Sequence, residues 1–232
     1  MPDSPGDVKQ NVTFSPNNKF AHDWLPAVEL NRVDSPTGRY YVTPEGNHYQ
    51  SVTTFLSSMG HEYIEAWRAA VGAEEADKVS RRASSRGTTL HENAELYLRN
   101  NDVTINKMRM LDLSLMRGMV PILNRINNIK LLESQLYSDV LKLAGTVDCV
   151  ADFDGIPSII DFKTASKLKS KEEIHNYFMQ VSIYSLMVEE RYKVRIPRLV
   201  ILISQEFGQP QVFIEERKNW LYQISVLLKL QK

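Results

Sequence analysis

The sequence predicts an α/β fold, with a central sheet flanked by helices and a further group of helices ahead of that core. The order of the patterns indicates this: helical spacing dominates the first half, and a three-strand meander, a helix, two strands and a helix follow. The 232 residues, 43% hydrophobic and 24% charged, suit one globular domain with a sizeable core. We expect a partly irregular extension over residues 1–47 and one domain over residues 48–232, with a helical region at about 62–130.

The N-terminal half is predicted to hold one hairpin, a short helix that begins at residues 51–53 and runs to residue 59, and three longer helices. Pro, Asn, Asp and Ser are frequent up to about residue 38, so a loosely structured segment is expected there. A hairpin is predicted over residues 39–51, because strand-forming residues flank a Pro-Glu-Gly-Asn turn. The apolar spacing predicts helices over residues 62–82, about 86–100 and 111–130. Gly72 is expected to mark a bend, and Pro121 a kink or break.

The C-terminal half is predicted to supply most of the sheet. Apolar runs bounded by turn residues predict strands over residues 131–140, 143–153, 156–163, 199–204 and 211–215. Helices are expected from about 172 or 176 to 190 and from 218 to 230. The first three of these strands follow one another closely and would form the meander.

Two acidic motifs lie on neighbouring strands of this meander. Gly145-Thr146-Val147-Asp148 is followed, after a Gly-Ile-Pro turn, by Asp161-Phe162-Lys163. Lys163 and Asp161 are two residues apart, so they point to the same face of their strand. Two carboxylates can hold Mg²⁺ or Mn²⁺, and a lysine can orient water or offset charge on a phosphate. The motifs therefore indicate a metal-dependent nuclease, whereas either alone would also fit a hairpin with solvated aspartates.

Two further side chains could join the cation site. His91 lies on a predicted helix, and its imidazole would favour Mn²⁺ relative to a site made only of oxygen atoms; it could also be an exposed helical histidine. A zinc-peptidase motif would need a second histidine where Glu95 stands, which argues against that function. Glu133, in the strand before Asp148, could contribute a carboxylate directly or through water, or could face solvent.

Other residues could contact a phosphate backbone. Gln180 and Tyr184 share one face of a helix and could hydrogen-bond a phosphate, although Tyr184 could also be a core residue. The 28 basic and 28 acidic residues balance, so nucleic-acid binding would depend on local basic patches. Two such patches lie on either side of the proposed site in the sequence. One contains Arg81, Arg82 and Arg86, with Thr88 close by, and the other contains Lys167 and Lys169. Aromatic residues such as Tyr41 could stack on bases, although aromatics at these spacings are more often core residues.

The composition also excludes several kinds of site. Cys149 is the single cysteine and lies in an apolar strand, so no internal disulfide and no cysteine-based zinc or iron–sulfur site is possible. We expect it to be a small buried apolar residue. No run of 18 apolar residues is present, so no membrane span is expected. The first ten residues resemble neither a secretory signal nor a transit peptide, so a cytoplasmic location is expected, and a mitochondrial one is not.

The motifs together resemble a known family. In chain order they are Arg86-Gly87-Thr88-x-x-His91, Glu133, Gly145-Thr146-x-Asp148, Asp161-x-Lys163 and Gln180-x-x-x-Tyr184. This order resembles the RecB-like branch of the PD-(D/E)XK nucleases. The segments around Ser51, His91, Glu133, Asp148 and Asp161 are most similar to the family of the mitochondrial genome maintenance exonuclease and its phage and bacterial relatives, over about residues 48–232.

The resemblance implies a restriction-endonuclease-like core and an Mg²⁺- or Mn²⁺-dependent exonuclease acting on single-stranded DNA ends. By the family pattern His91, Asp148, Asp161 and the carbonyl of Phe162 hold the cation, with Lys163 beside it. Gln180 and Tyr184 would position the phosphate, and Glu133 would support the acids. Since the first ten residues do not resemble a transit peptide, a phage or bacterial origin is expected, and the single cysteine excludes the iron–sulfur cluster of related nucleases. We further expect a monomer that works with replication or recombination proteins and needs no nucleotide cofactor. The alternatives are a flap endonuclease and a DNA-binding subunit without catalytic activity.

Overall fold

A computed structural model describes residues 11–58, 69–70 and 72–229. The strands are β1 Asn11–Phe14, β2 Asn31–Ser35, β3 Gly38–Val42, β4 His48–Ser51, β5 Val103–Asn106, β6 Ile126–Ser138, β7 Leu143–Phe153, β8 Ile156–Ala165, β9 Arg198–Gln205 and β10 Gln211–Glu216. The helices are α1 Val52–Ser58, α2 Ala73–Leu98, α3 Met110–Leu123, α4 His175–Tyr192 and α5 Leu221–Lys229, with a 3₁₀ turn at Arg217–Asn219. None of the helices in these ranges has the length and apolar character that crossing a membrane requires.

The main sheet is mixed, and β7 is its central strand. Its order is β10-β9-β8-β7-β4-β3-β2, and β6 also pairs with β7. The β8–β9 and β4–β7 pairs are parallel, and the other pairs are antiparallel. Because β6 pairs along most of one edge of β7, β8 and β4 share the other edge, β8 from Cys149 onward and β4 at Leu143 and Ala144. Residues 145–148 fall between these two partners.

Helices cover both faces of this sheet, which explains its apolar strands. In β9, Leu199, Ile201 and Ile203 pack with α4 and α5 on one face, whereas Val200 and Leu202 pack with α2 and α3 on the other. A strand buried on both faces has a continuous apolar sequence rather than an alternating one. Cys149 is fully buried in the second layer, as predicted, and burial raises the pKa of its thiol.

The prediction of separate helices on either side of Arg86 is wrong. The single helix α2 runs through Gly87. One glycine in a helix costs about 1 kcal/mol, and burial of Leu90, Ala94 and Tyr97 against the sheet outweighs that cost. Gly72, with φ of 86° in the left-handed region, precedes the first residue of the helix. Residues 62–68 of the predicted first helix lie outside the described residues.

The helix predicted over 111–130 ends at Leu123, two residues after Pro121. Residues 126–130, predicted to be helical, form the start of β6, where Ile126 and Ile129 are buried. Helical propensity is weak enough for tertiary pairing to override it, and here β7 supplies that pairing. The other strands and helices of the C-terminal half lie within a few residues of their predicted bounds.

The first 38 residues contain more structure than the sequence indicated. β2 pairs with β3 and so extends the main sheet, while β1 pairs with β5 in a small separate sheet. β2 has the sequence Asn-Arg-Val-Asp-Ser, in which apolar and polar residues do not alternate. Its strand conformation therefore depends on pairing with β3 and could not be predicted from the local sequence. The domain boundary at residue 48 stays a prediction, and the β3–β4 pairing crosses it.

Candidate metal centre

The candidate site lies where the β7–β8 ladder stops. Cys149 and Ile160 are the last paired residues at this end. Beyond this pair, the backbone N–H of Phe162 donates to Oδ2 of Asp148 at 2.7 Å. The carboxylate of Asp148 thus accepts a hydrogen bond that a backbone carbonyl would accept if the strands stayed paired. Asp148 and Asp161 therefore reach the same end of the two strands, as their sequence spacing predicts. Both carboxylates are buried.

Helix α2 carries His91 to these strands. Its Nδ1 lies 3.0 Å from Oε1 of Glu133 and 3.7 Å from Oδ2 of Asp148, and its Nε2 donates to the carbonyl of Phe162 at 2.8 Å. One ligand atom from each of His91, Glu133 and Asp148 lies within 4.8 Å of the others. We call these three residues the ligand triad. The ring of Phe162 packs edge-on against the imidazole and limits its rotation.

A backbone distortion brings Glu133 to the triad. Its φ is 44°, in the left-handed region that few residues other than glycine adopt. Ser134 stabilises this conformation, because its hydroxyl donates to the carbonyl of Leu132 and accepts the N–H of the same residue. Glu133 thus contacts His91 and stays partly exposed in the cleft, and this left-handed residue belongs to the site.

Asp161 and Lys163 form a pair beside the triad. Nζ of Lys163 lies 2.6 Å from both carboxylate oxygens of Asp161, which confirms that the two side chains share a face. Asp161 is 2% exposed, and among the described residues its Oδ2 accepts no hydrogen bond of good geometry. The carboxylate is thus shielded from solvent, and a cation would compete with the Lys163 ammonium for it. Its role as a ligand stays a prediction, because Asp161 lies outside the triad.

Burial and mutual attraction shift the ionisation of these groups. Burial disfavours a charge on His91, but Asp148 and Glu133 outweigh it and raise the pKa of the imidazole to about 9. Burial likewise raises the pKa of Asp161 to about 6, against the effect of Lys163. Burial also raises the pKa of Asp148, while the carboxylates of Asp161 and Asp148 raise that of Lys163 despite its desolvation. Near neutral pH, His91 is therefore an imidazolium that donates from both nitrogens.

The donor set fits a divalent cation. Two carboxylates, a backbone carbonyl and an imidazole are ligands that Mn²⁺ accepts, and Mg²⁺ uses the oxygen donors among them. Both ring nitrogens of His91 face oxygen acceptors, so a cation at the triad would compete with a ring proton. Glu133, Asp148, His91 and the carbonyl of Phe162 would hold the ion, and the carboxylate of Asp161 interacts with that of Asp148.

Because the bound imidazole must be neutral, we expect cation binding to release protons. With a pKa of about 9, His91 should lose about one proton when Mn²⁺ binds near neutral pH, and the apparent affinity should rise about tenfold per pH unit below pH 9. Calorimetric titrations in two buffers of different ionisation enthalpy measure this release. His91→Ala should bind more weakly and release fewer protons. An unchanged heat of binding in the two buffers would contradict imidazole ligation.

Gly145 is required by the close approach of Tyr184. A Cβ at position 145 would lie 2.5 Å from the Tyr184 hydroxyl oxygen. The tyrosine is 2% exposed, so burial raises its pKa far above the usual value and the phenol stays protonated. Gln180, one turn earlier in α4, hydrogen-bonds Tyr184, and both line the cleft that contains the triad. Tyr184 is a core residue that also lines the cleft, and its hydrogen bond to a phosphate stays a prediction.

Gly145→Ala should destabilise the protein by about 1–3 kcal/mol, because the new methyl group overpacks against Tyr184. A double-mutant cycle with Tyr184→Phe tests the cause, since removal of the hydroxyl relieves the closest contact. We expect a smaller loss of unfolding free energy for Gly145→Ala in the Tyr184→Phe background than in the original protein. Equal losses in both backgrounds would show that Tyr184 is not the reason for the glycine.

The predicted DNA-contacting residues lie in different places. Thr88 lines the triad cleft, whereas Arg81, Arg82 and Arg86 line a second cleft beside α2 and α3. Arg86 is paired with Glu206 and donates to Thr164 at 2.9 Å. Lys167 is exposed, and Lys169 forms an ion pair with Glu173 at 3.0 Å. Their DNA contacts stay predictions, and Arg86 would have to leave its acid partner to make one.

Residues of the β2–β3 hairpin, which no sequence motif marked, complete the cleft. Arg32 and Arg39 line it, together with Ser51 and Thr53 at the start of α1. Tyr41, considered for base stacking, is 2% exposed, and its hydroxyl approaches Thr146 at 3.5 Å. The arginines had no apparent motif, because they lie in the segment for which loose structure was predicted. The cleft has a volume of about 640 Å³.

Comparisons with known proteins identify relatives. The chain is 30% identical over 118 residues to mouse mitochondrial genome maintenance exonuclease 1, covering 48% of this chain and 34% of the relative. It is 23% identical over 238 residues to the human protein of that name, covering 89% of this chain and 69% of the relative. A crystal structure from Eubacterium rectale matches 78% of this chain and 65% of its own at 10% identity and a TM-score of 0.39, which carries no functional argument. The alignment to the mouse protein thus spans about one third of that protein.

The family model of the PD-(D/E)XK nuclease superfamily matches residues 61–210. This range contains the ligand triad, both acidic motifs and the Gln180–Tyr184 pair, and it leaves out the β2–β3 hairpin. The mixed sheet with helices on both faces is the restriction-endonuclease-like fold that the resemblance implied. By the extent of this match and the order of its motifs, the chain belongs to the PD-(D/E)XK nuclease superfamily.

Proposed function

We propose that the protein is an Mg²⁺- or Mn²⁺-dependent deoxyribonuclease that acts as an exonuclease on single-stranded DNA ends. The observation that carries this proposal is the convergence of the ligand triad and the Asp161–Lys163 pair on one cleft. The relatives in mouse and human are named as exonucleases, which supports the same reaction class. A cytoplasmic location, a monomeric state and partnership with replication or recombination proteins remain predictions from the sequence.

Three residues beside the metal centre have chemical roles in this reaction. A divalent cation, when bound, supplies polarisation of a phosphoryl oxygen and a more acidic water. Lys163 is protonated and adjacent to the acids, so it can stabilise the charge that develops on the phosphate. The protonated hydroxyl of Tyr184 is a hydrogen-bond donor, and Gln180 orients it. Together these two residues would hold the scissile phosphate against the metal centre.

The shape of the cleft favours a single strand. Ser84, Gly87, Thr88 and His91 follow at helical spacing, so one face of α2 forms a wall opposite the strands that carry the acids. Gly87 leaves open space on that wall, because a Cβ there would meet no atom within 4 Å. A single DNA strand that lies along α2 would bring one phosphate beside Lys163. A duplex would first have to be unwound to enter the cleft in this way.

A digestion time course tests the proposal. The substrates are single and double strands carrying 5′ or 3′ labels, and a circular single strand, with Mg²⁺, Mn²⁺ or a chelator. We expect cation-dependent shortening of linear single strands from one end, with little cleavage of the circle. Cleavage of the circle would favour the flap-endonuclease alternative. Binding of the strands without turnover under any cation would favour a catalytically silent subunit, and cleavage in chelator would refute the metal-dependent site.

A further inference from the structure

The β2–β3 hairpin directs two arginines toward the metal centre. Arg32 is paired with Tyr41, and Arg39 with Asp34, so these four residues lie on one face of the hairpin. The hydroxyl of Tyr41 approaches Thr146 in the Gly-Thr-x-Asp motif, which shows that this face turns toward the acids. Both arginines line the same cleft as the ligand triad. The hairpin lies outside the residues that the family model matches.

We propose that Arg32 and Arg39 form a phosphate clamp that holds the single-stranded substrate beside the metal centre. The inference rests on the proposed function and extends it, because it assigns the binding of backbone phosphates away from the scissile one to these two residues. Arginine suits this role, because its planar guanidinium can bind a phosphate through two parallel hydrogen bonds.

Tight contacts fix the position of the clamp. Gly38 has φ of 121°, and a Cβ there would overlap the Cγ2 atom of Thr54, so the turn packs closely on α1. The N–H of Arg39 donates to Oγ1 of Thr54 at 3.0 Å. The N–H of Thr54 in turn donates to Oγ of Ser51 at 3.0 Å, which caps α1. These hydrogen bonds hold the backbone of Arg39 against the start of α1. The backbone there should therefore lose little conformational entropy when a phosphate binds.

Asp34 orients both guanidinium groups. Its Oδ1 accepts from Nε of Arg39 at 2.8 Å, and its Oδ2 lies 3.0 Å from Nε and 2.9 Å from one terminal nitrogen of Arg32. Because Arg39 uses Nε for Asp34, its two terminal nitrogens remain suited to a bidentate contact with phosphate. The side chains of Arg32 and Arg39 are 47% and 35% exposed, so a phosphate can reach them.

The acidic residues that line the cleft would repel a DNA strand, so binding needs basic side chains there. Glu92, Glu95 and the carboxylates of the triad also line it, and they repel a polyanion. Lys163 is paired with Asp161, and its proposed role is at the scissile phosphate and not at phosphates further along the strand. Arg32 and Arg39 are the arginines that line this cleft among the described residues. A strand crossing the cleft would therefore find its strongest phosphate ligands on the hairpin.

The test measures binding of a fluorescent oligothymidylate in Ca²⁺, under conditions where the strand stays intact, over a series of salt concentrations. The variants are Arg32→Ala, Arg39→Ala and Arg39→Lys. Arg125→Ala is the matched control, since Arg125 also pairs with an aspartate, Asp154, but lies at the opposite end of β7 from the cleft. Thermal unfolding of each variant and cleavage kinetics in Mg²⁺ or Mn²⁺ accompany the binding curves.

We expect each alanine variant to bind about tenfold more weakly, and the slope of log K against log salt to fall by about 0.7 for each phosphate that an arginine no longer neutralises. Arg39→Lys should keep the slope and lose part of the affinity, because it keeps the charge without the planar fork. The cleavage defect should appear mainly as a higher KM. Arg125→Ala should match the original protein in affinity, slope and KM.

Affinities and salt slopes for Arg32→Ala and Arg39→Ala that equal those of Arg125→Ala would overturn the clamp while leaving the nuclease proposal intact. An original protein that neither binds nor cuts the strand would overturn both. A lower Tm with an unchanged salt slope would assign the arginines a structural role only, which also refutes the clamp.

Discussion

Asp148→Asn should abolish cation-dependent cleavage, lowering the rate at least about 1000-fold. One unit-charge interaction at about 4 Å is worth about 4 kcal/mol at an effective dielectric of 20, and a divalent cation interacts more strongly. The asparagine carbonyl can still accept the N–H of Phe162, so the end of the β7–β8 ladder should remain in place. The change removes a buried carboxylate that attracts the His91 imidazolium, so it should lower the pKa of His91 and cost some unfolding free energy; Glu133 stays beside the ring and limits that loss.

Cation binding and cleavage are measured together for this variant, by calorimetry with Mn²⁺ and by digestion of a labelled single strand. Asp152→Asn is the matched control: it removes the same charge from the same strand, but Asp152 hydrogen-bonds Asn128 at the other end of β7. The control should bind and cleave like the original protein. An Asp148→Asn protein that retains both activities would rule out the ligand triad as the metal site.

Lys163→Met should lower the cleavage rate about 1000-fold while leaving cation binding in place. The ammonium group contributes about 4 kcal/mol to a phosphate transition state at contact distance, and methionine keeps much of the side-chain length. The variant also leaves the buried Asp161 without its partner, which raises the pKa of that carboxylate further and destabilises the protein free of cation. Saturating Mn²⁺ should restore part of this stability, since a cation favours the ionised acid.

Lys130→Met is the control for Lys163→Met. Lys130 also pairs with an aspartate, Asp23, and its side chain is 23% exposed against 22% for Lys163, but it lies away from the cleft. We expect the control to cleave at the original rate. The two site variants then separate binding from chemistry, because Asp148→Asn should lose both and Lys163→Met only the second. Loss of cation binding in Lys163→Met would mean that the lysine acts on the metal site and not on the phosphate.

The local motifs determined most of the site. Asp148, Asp161 and Lys163 lie in strands that the apolar runs predicted, and a spacing of two residues is enough to put Lys163 beside Asp161. The sequence also justified attention to His91 and Glu133, but it left open whether either faces solvent. It could not specify their contact, because they are 42 residues apart and meet only through the packing of α2 on the sheet.

The sequence by itself determined the fold class, the order of the C-terminal elements and the residue types that could hold a cation, because these depend on periodicity and on spacing within a strand. Only the tertiary structure decided that α2 continues through Gly87, that residues 126–130 join β6, and that β2 extends the sheet, because each depends on a partner distant in the chain. It likewise brought Arg32 and Arg39 to the cleft, through strand pairing that no local pattern encodes.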